Sequence, residues 1–230
     1  PAYRRPGGPL PPLYIAKLFL PDLKRIWQTP GLNLNLLRMV HAEQSVHWRR
    51  MPQNGEPFHL EMVISDIRKT GAGELLEITG RCRVGGRTIV KGVTGLIVRS
   101  RKDRPSRSKR PVDELPEKQF QIKIPTREGQ QRDYARVSGD TNFIHTNELL
   151  ARAAGLPRTI LHGACVLAMA CNGLCRHLLE GDIHRIEQIE CRFARPALPG
   201  KPLNLAGAEG PKPNQTVFVV LDETGGPVLK

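Results

Sequence analysis

From Ala164 to Leu179 the chain runs for about four helical turns on residues that are almost all apolar or small. A helix with one apolar stripe can lie on a surface, but one that is apolar nearly all round must be enclosed by protein. Gly163 and Gly181 mark its ends. The segments that follow, HRIEQIECRFARP, KPLNLAGAEG and QTVFVVLDE, are short, rich in β-branched and large apolar residues, and bounded by Gly, Pro or Asn, so they read as strands that enclose the helix. The first half repeats this order. A helix-capable segment from Pro21 to Val40 precedes four alternating runs, HAEQSVHWRRM, EPFHLEMVISDIRKTG, GELLEITGRCRVGG and RTIVKGVTGLIVRS, separated by breaks at Gly71–Gly73 and Gly85–Gly86 that suit hairpins. The expected fold class is therefore α+β, with each half an antiparallel sheet wrapped around a helix.

Charge divides the chain in the same way. Residues 1 to 110 hold 21 Lys+Arg against 8 Asp+Glu, whereas residues 111 to 230 hold 14 against 14, so the whole net charge of +13 lies in the first part. Between them RSRKDRPSRSKRPVDELPEK, residues 99 to 118, is rich in charge and proline and nearly free of apolar side chains, which is linker composition. Domains of 1–110, ending in this basic linker, and 111–230 are expected, each long enough to bury a core. The first residue is not Met, and Pro227–Lys230 reads as an interrupted strand, so a longer parent protein is expected.

The chemistry concentrates at Tyr134–His145, YARVSGDTNFIH. Asp140 and His145 have ordinary pKa values of about 3.9 and 6.5, a combination able to move protons in both directions near neutral pH. On a regular helix, five residues apart, the two side chains would point to different faces. They converge only if the backbone after Gly139 is irregular, which Gly139, Thr141 and Asn142 permit. Asn142 can fix the turn or hold a water, while Phe143 and Ile144 press the segment onto a core. GDTN taken alone also suits a polar turn that caps a helix. The start of the apolar helix adds a further element, because Gly163 lets a ligand approach backbone N–H groups that carry partial positive charge.

At these residues the sequence resembles the MaoC-like hydratases and dehydratases, hot-dog-fold enzymes that act on acyl thioesters. The family pattern, an aromatic residue, a short spacer, then S/T-G-D-x-N-P-[IL]-H, is met by Tyr134, Ser138, Gly139, Asp140, Asn142, Ile144 and His145. ARAAGLPRTILHG and RIEQIECRFARPALPGKPL are similar to the family as well, and the likeness covers most of residues 118 to 230. Phe143 departs from it, standing where the family usually has proline. The resemblance implies a double hot dog whose second half is catalytic. Its first half has no GDxNxIH segment, and its HAEQ stretch resembles the non-catalytic half of such proteins. It implies a lyase of fatty acid metabolism, a reversible enoyl-CoA hydratase or (3R)-hydroxyacyl thioester dehydratase working on CoA or acyl carrier protein thioesters. Asp140 and His145 would be its catalytic dyad, with the Gly163 N–H as oxyanion donor, and Ser138, Asn142 and His162 would contact substrate. Acid/base groups contribute about 10²- to 10⁴-fold and an oxyanion donor about 10²- to 10³-fold, so the implied reaction needs no metal and no cofactor.

Other readings stay open. A hot-dog protein can bind acyl thioesters without hydrating them or cleave them as a thioesterase, although the resemblance implies a dyad arranged around C2 and C3 rather than the carbonyl carbon. The seven Lys and Arg of Arg99–Arg110 suit RNA, yet aromatic residues make up only 5%, which leaves few stacking platforms, so nucleic acid is not expected as a partner. The same charge can attract the phosphates of coenzyme A or an acidic carrier protein. His41 and Glu43 fit structural hydrogen bonding, and His47, His59, His177 and His184 read as strand or surface residues. Five cysteines without a CxxC or a zinc-like spacing argue against a metal; the odd count and the lack of a secretory signal suit a reducing, cytoplasmic setting. LYIAKLFL is too short for a membrane span. A double hot dog satisfies its sheet pairing within one chain and leaves a homodimer through other surfaces open.

Overall fold

The computed structural model describes residues 11–32, 39–98 and 118–230. The linker expected at residues 99 to 118 lies outside them except for its last residue. The chain divides into two compact units, residues 1–105 with 174–191 and residues 106–173 with 192–230.

In the first unit the alternating runs form β1 (Met39–Trp48), β2 (His59–Thr70), β3 (Gly73–Val84) and β4 (Arg87–Val98). They join β6 (Gln188–Arg192) in one sheet of order β2-β3-β4-β1-β6. The β3–β4 hairpin turns on Gly85 and Gly86, with φ of +55° and +77°, the left-handed pair that a two-residue turn requires and that side chains resist. His41 Nε2 lies 3.2 Å from Gln44 Oε1 on the same strand, in keeping with a structural histidine.

Helix α1 spans Ile15–Trp27 rather than Pro21–Val40, so Pro21 sits inside it. Proline in a helix interior costs about 3 kcal/mol, since it can neither donate to the carbonyl four residues back nor avoid crowding it. Tertiary packing overrides that cost. Ile15, Phe19, Leu23 and Ile26 fall on one face, and Leu23, Ile26 and Trp27 pack against buried Leu76, Ile78 and Leu96 of the sheet. Phe19 lies flat enough on Gly80 that a β-carbon there would come within 2.9 Å of the ring.

The second unit holds the sheet β5-β7-β8-β9, formed by β5 (Phe120–Ile124), β7 (Leu203–Glu209), β8 (Thr216–Leu221) and β9 (Pro227–Leu229). Its helices are α2 (Gln130–Ser138), α3 (Phe143–Thr146), α4 (Glu148–Ala153) and most of the long α5 (Gly163–Leu178), which from Leu174 on belongs to the first unit. The last is the apolar segment anticipated from the sequence. Val166, Leu167 and Ala170 of α5 are buried, as are Leu203, Leu205, Ala206, Val219, Val220 and Leu229 of the sheet. Gly173 keeps the helix close to that sheet, because a β-carbon there would lie 2.9 Å from Leu205 Cδ2. Among the described residues, no helix is long and apolar enough to cross a membrane.

Candidate active site

Three short helices place the polar residues. Helix α2 stops at Gly139, whose φ of +81° lets its N–H return to the Ala135 carbonyl at 2.9 Å, a left-handed C-cap that favours glycine. Asp140 follows. Its Oδ1 accepts from the Asn142 N–H at 3.2 Å and turns the chain. Asn142 then caps α3, its Oδ1 accepting from the Ile144 N–H at 3.3 Å. This break in the helix brings a carboxylate oxygen of Asp140 and ring nitrogens of His145 and His162 within 4.8 Å of one another. Phe143 is the first residue of α3, preceded by Asn142 at φ −52° and ψ 132°. That backbone is the one proline favours before itself, so phenylalanine occupies a proline-compatible turn without remodelling it.

Carbonyl partners fix the protons on both imidazoles, since a carbonyl oxygen only accepts. His145 Nδ1–H donates to the Ile160 carbonyl at 2.8 Å, leaving Nε2 as the lone-pair nitrogen. His162 Nε2–H donates to the Asp140 backbone carbonyl at 3.0 Å, and its Nδ1 is buried with no partner among the described residues. The rings stack at 3.7 Å with 22° between their planes, and the Tyr134 ring lies 4.7 Å from His162.

Burial first, then the neighbouring His162, holds His145 down to about 4, against the opposing pull of the Ile160 carbonyl and Asp140. His162 is also held below its ordinary value by burial. Burial pushes the Tyr134 hydroxyl well up, with Cys165 and Asp140 adding to it, so it stays a neutral donor. Near neutral pH the site thus offers an uncharged imidazole whose Nε2 can take a proton. The three donor atoms have the spacing of a metal cluster, but in-plane lone pairs of two stacked imidazoles run side by side. An ion in the plane of one ring lies out of the plane of the other, a poor geometry for coordination by both.

The residues expected to bind substrate take different positions. Ser138 is buried and spans the loop, donating to the Tyr134 carbonyl at 2.7 Å and accepting from the Asp140 N–H at 3.1 Å. Asn142 is exposed, and His162 is only 1% exposed beneath Asp140. Gly163 begins α5, whose first turn closes through the Val166 N–H and the His162 carbonyl at 3.1 Å. A β-carbon on Gly163 would sit 2.7 Å from Phe193, so the ring occupies the space a side chain would need. The Ile160 carbonyl and Phe193 were not singled out from the sequence. A carbonyl acceptor leaves no residue-type signal, and Phe193 lies far along the chain among ordinary strand residues.

Residues 111–218 match the family model for the MaoC like domain. This part of the chain is a MaoC-like domain. The chain is 30% identical over 183 residues to 3-hydroxyacyl-thioester dehydratase Y of Mycobacterium tuberculosis, covering 74% of this chain and 61% of that one. It is 28% identical over 189 residues to mouse peroxisomal multifunctional enzyme type 2, covering 76% and 25%. A MaoC-like dehydratase from Phytophthora capsici superimposes with a TM-score of 0.73 at 25% identity, over 85% of this chain and 70% of that one. The chain spans less than two thirds of the length of either curated relative. The fold is the α+β double hot dog that the resemblance implied, with an antiparallel sheet and a packed helix in each unit. The MaoC-like domain contains Asp140, His145, His162 and Gly163.

Proposed function

We propose that this chain reversibly hydrates 2-enoyl thioesters and dehydrates (3R)-hydroxyacyl thioesters. The observation that carries the reading is the convergence, at the bend between α2 and α3, of the Asp140 carboxylate with a buried imidazole whose Nε2 is open to a proton. In the hydration direction Asp140 and His145 hold a water at C3. His145 Nε2 takes a proton from that water as the C3–O bond forms and passes the same proton on to C2, so the two hydrogens of the water end on the C3 hydroxyl and on C2. Negative charge building on the thioester oxygen is met by the Gly163 N–H at the start of α5. Dehydration reverses these steps. The Gly163 amide carries no side chain, and the partial positive charge of the sixteen-residue helix supports it.

Two named relatives support this substrate class: one is called a 3-hydroxyacyl-thioester dehydratase, and an Arabidopsis thaliana relative an enoyl-CoA hydratase. Coenzyme A or an acyl carrier protein is the proposed carrier, drawn by the basic first part of the chain. A cytoplasmic location is part of the same reading, because all five cysteines are free and buried, as thiols in a reducing compartment are. The test is a product analysis with crotonyl-CoA and longer enoyl thioesters. Loss of enoyl absorbance without free thiol is expected. Thiol release would replace hydration with thioester hydrolysis, and no change with any thioester would remove the enzymatic reading.

A further inference from the structure

Gln131, Glu148 and Thr159 take no part in the steps above, yet they converge one residue from the carbonyl that orients His145. Thr159 is 4% exposed and Gln131 1%. Gln131 Nε2–H donates to Thr159 Oγ1 at 3.1 Å. Both the Thr159 hydroxyl and its backbone N–H then donate to Glu148 Oε2, at 3.2 and 3.1 Å. The direction is forced, because an amide nitrogen only donates and a carboxylate only accepts. Arg152 Nη2 holds the other carboxylate oxygen at 3.2 Å along α4. The next residue, Ile160, donates its N–H to the Ile144 carbonyl at 3.1 Å and offers its own carbonyl to His145 Nδ1–H at 2.8 Å.

We infer that Glu148 and Thr159 are positioning residues: by clamping the chain just before Ile160, they aim its carbonyl at His145 Nδ1 and keep Nε2 as the proton-accepting nitrogen. Neither touches substrate or a reacting atom. The inference rests on the proposed role of His145. Two features suit the clamp. Charge-assisted bonds to a carboxylate are about twice as strong as neutral ones, and Glu148 collects two from one residue. Its carboxyl is held below the ordinary range, first by the Thr159 N–H, so the clamp stays charged at neutral pH. Gln131 Oε1 is buried with no partner among the described residues, and the Nε2–H of the same amide is directed at Thr159.

Histidine ¹⁵N NMR of the full chain near neutral pH reads the clamp without any substrate. Wild type should show His145 as the Nδ1–H form, whereas Glu148→Ala and Thr159→Val should show a mixture of both neutral forms. With an enoyl thioester these variants should lose about tenfold in kcat with KM changed less than twofold. Their acid limb should move to lower pH, because the Ile160 carbonyl pulls His145 upward in the intact clamp. Thr159→Ser, which keeps the hydroxyl, should recover most of what Thr159→Val loses. Should Glu148→Ala fail to fold, the Thr159→Val and Thr159→Ser pair decides. An unaltered His145 signal in the folded variants overturns the inference. A wild-type protein with the expected Nδ1–H form but no hydration overturns the proposed function instead, and the variant spectra still decide the clamp.

Discussion

Among the described residues six polar side chains are buried: Thr79 in the first unit, and Gln131, Ser138, His145, Thr159 and His162 in the second. Desolvating such a group without a partner costs about 1–3 kcal/mol, so folding alone gives no reason to gather five of them within about thirty residues. Thr79 is satisfied within its sheet by Ser65, at 3.1 Å. The five in the second unit bond instead to backbone carbonyls, to the Glu148 carboxylate and to one another, and two of them are the stacked, neutral imidazoles. Both units also use the same packing device, a phenylalanine against a glycine: Phe19 on Gly80 in one, Phe193 on Gly163 in the other. One of these glycines only lets a helix settle on a sheet. The other begins α5, where the proposed reaction would use a bare backbone amide.

The contrast is most exposed to failure at His145. His145→Gln should remain folded and lose about 10²- to 10⁴-fold in thioester hydration, measured as enoyl absorbance loss. A comparable loss on replacing Thr79 by Val would break the distinction between the two units. Next in size is a pH effect. The unfolded imidazole binds its proton below about 6.5 and the folded one only below about 4, so between those values the unfolded state carries the extra proton. Stability should therefore fall as pH is lowered from 6.5 to 4, by about 3 kcal/mol from this group, followed by urea titration. Hydration should persist below pH 6, because His145 stays neutral there.

Gly80→Ala and Gly163→Ala sharpen the comparison directly. Each forces a methyl group onto a phenylalanine ring and should cost about 1–3 kcal/mol, read by thermal unfolding. Only Gly163→Ala should also lower kcat at a temperature where both variants are folded. The smallest effect is expected at Phe143→Pro. The backbone before it already suits proline, so stability should change by no more than about 1 kcal/mol, with turnover retained.

Much of this contrast was legible in the sequence because it rests on short-range rules. Alternation marked β1 to β4, paired glycines marked the hairpin at Gly85–Gly86, and the unbroken apolar run marked α5. The Gly139-Asp140-Thr141-Asn142 stretch announced an irregular bend, and the bend is what brings Asp140 to His145. Long-range events were hidden. Nothing in Gln188–Arg192 says that it will join β1, and β5 is a bare five residues with a weak pattern. Pro21 argued against the true extent of α1 because the packing of Phe19 and Leu23 could not be weighed locally. The stack of His145 on His162 and the clamp from Glu148 to Thr159 link residues eleven to seventeen positions apart through ordinary side chains.

The account stands or falls on Asp140 acting with His145 on the substrate. Initial rates of crotonyl-CoA hydration should be compared for wild type and Asp140→Asn, with circular dichroism confirming that both are folded. A loss of at least about 10²-fold is predicted, because asparagine keeps the shape and the bond to the Asn142 N–H but removes the carboxylate. Equal rates in the two folded proteins would contradict it.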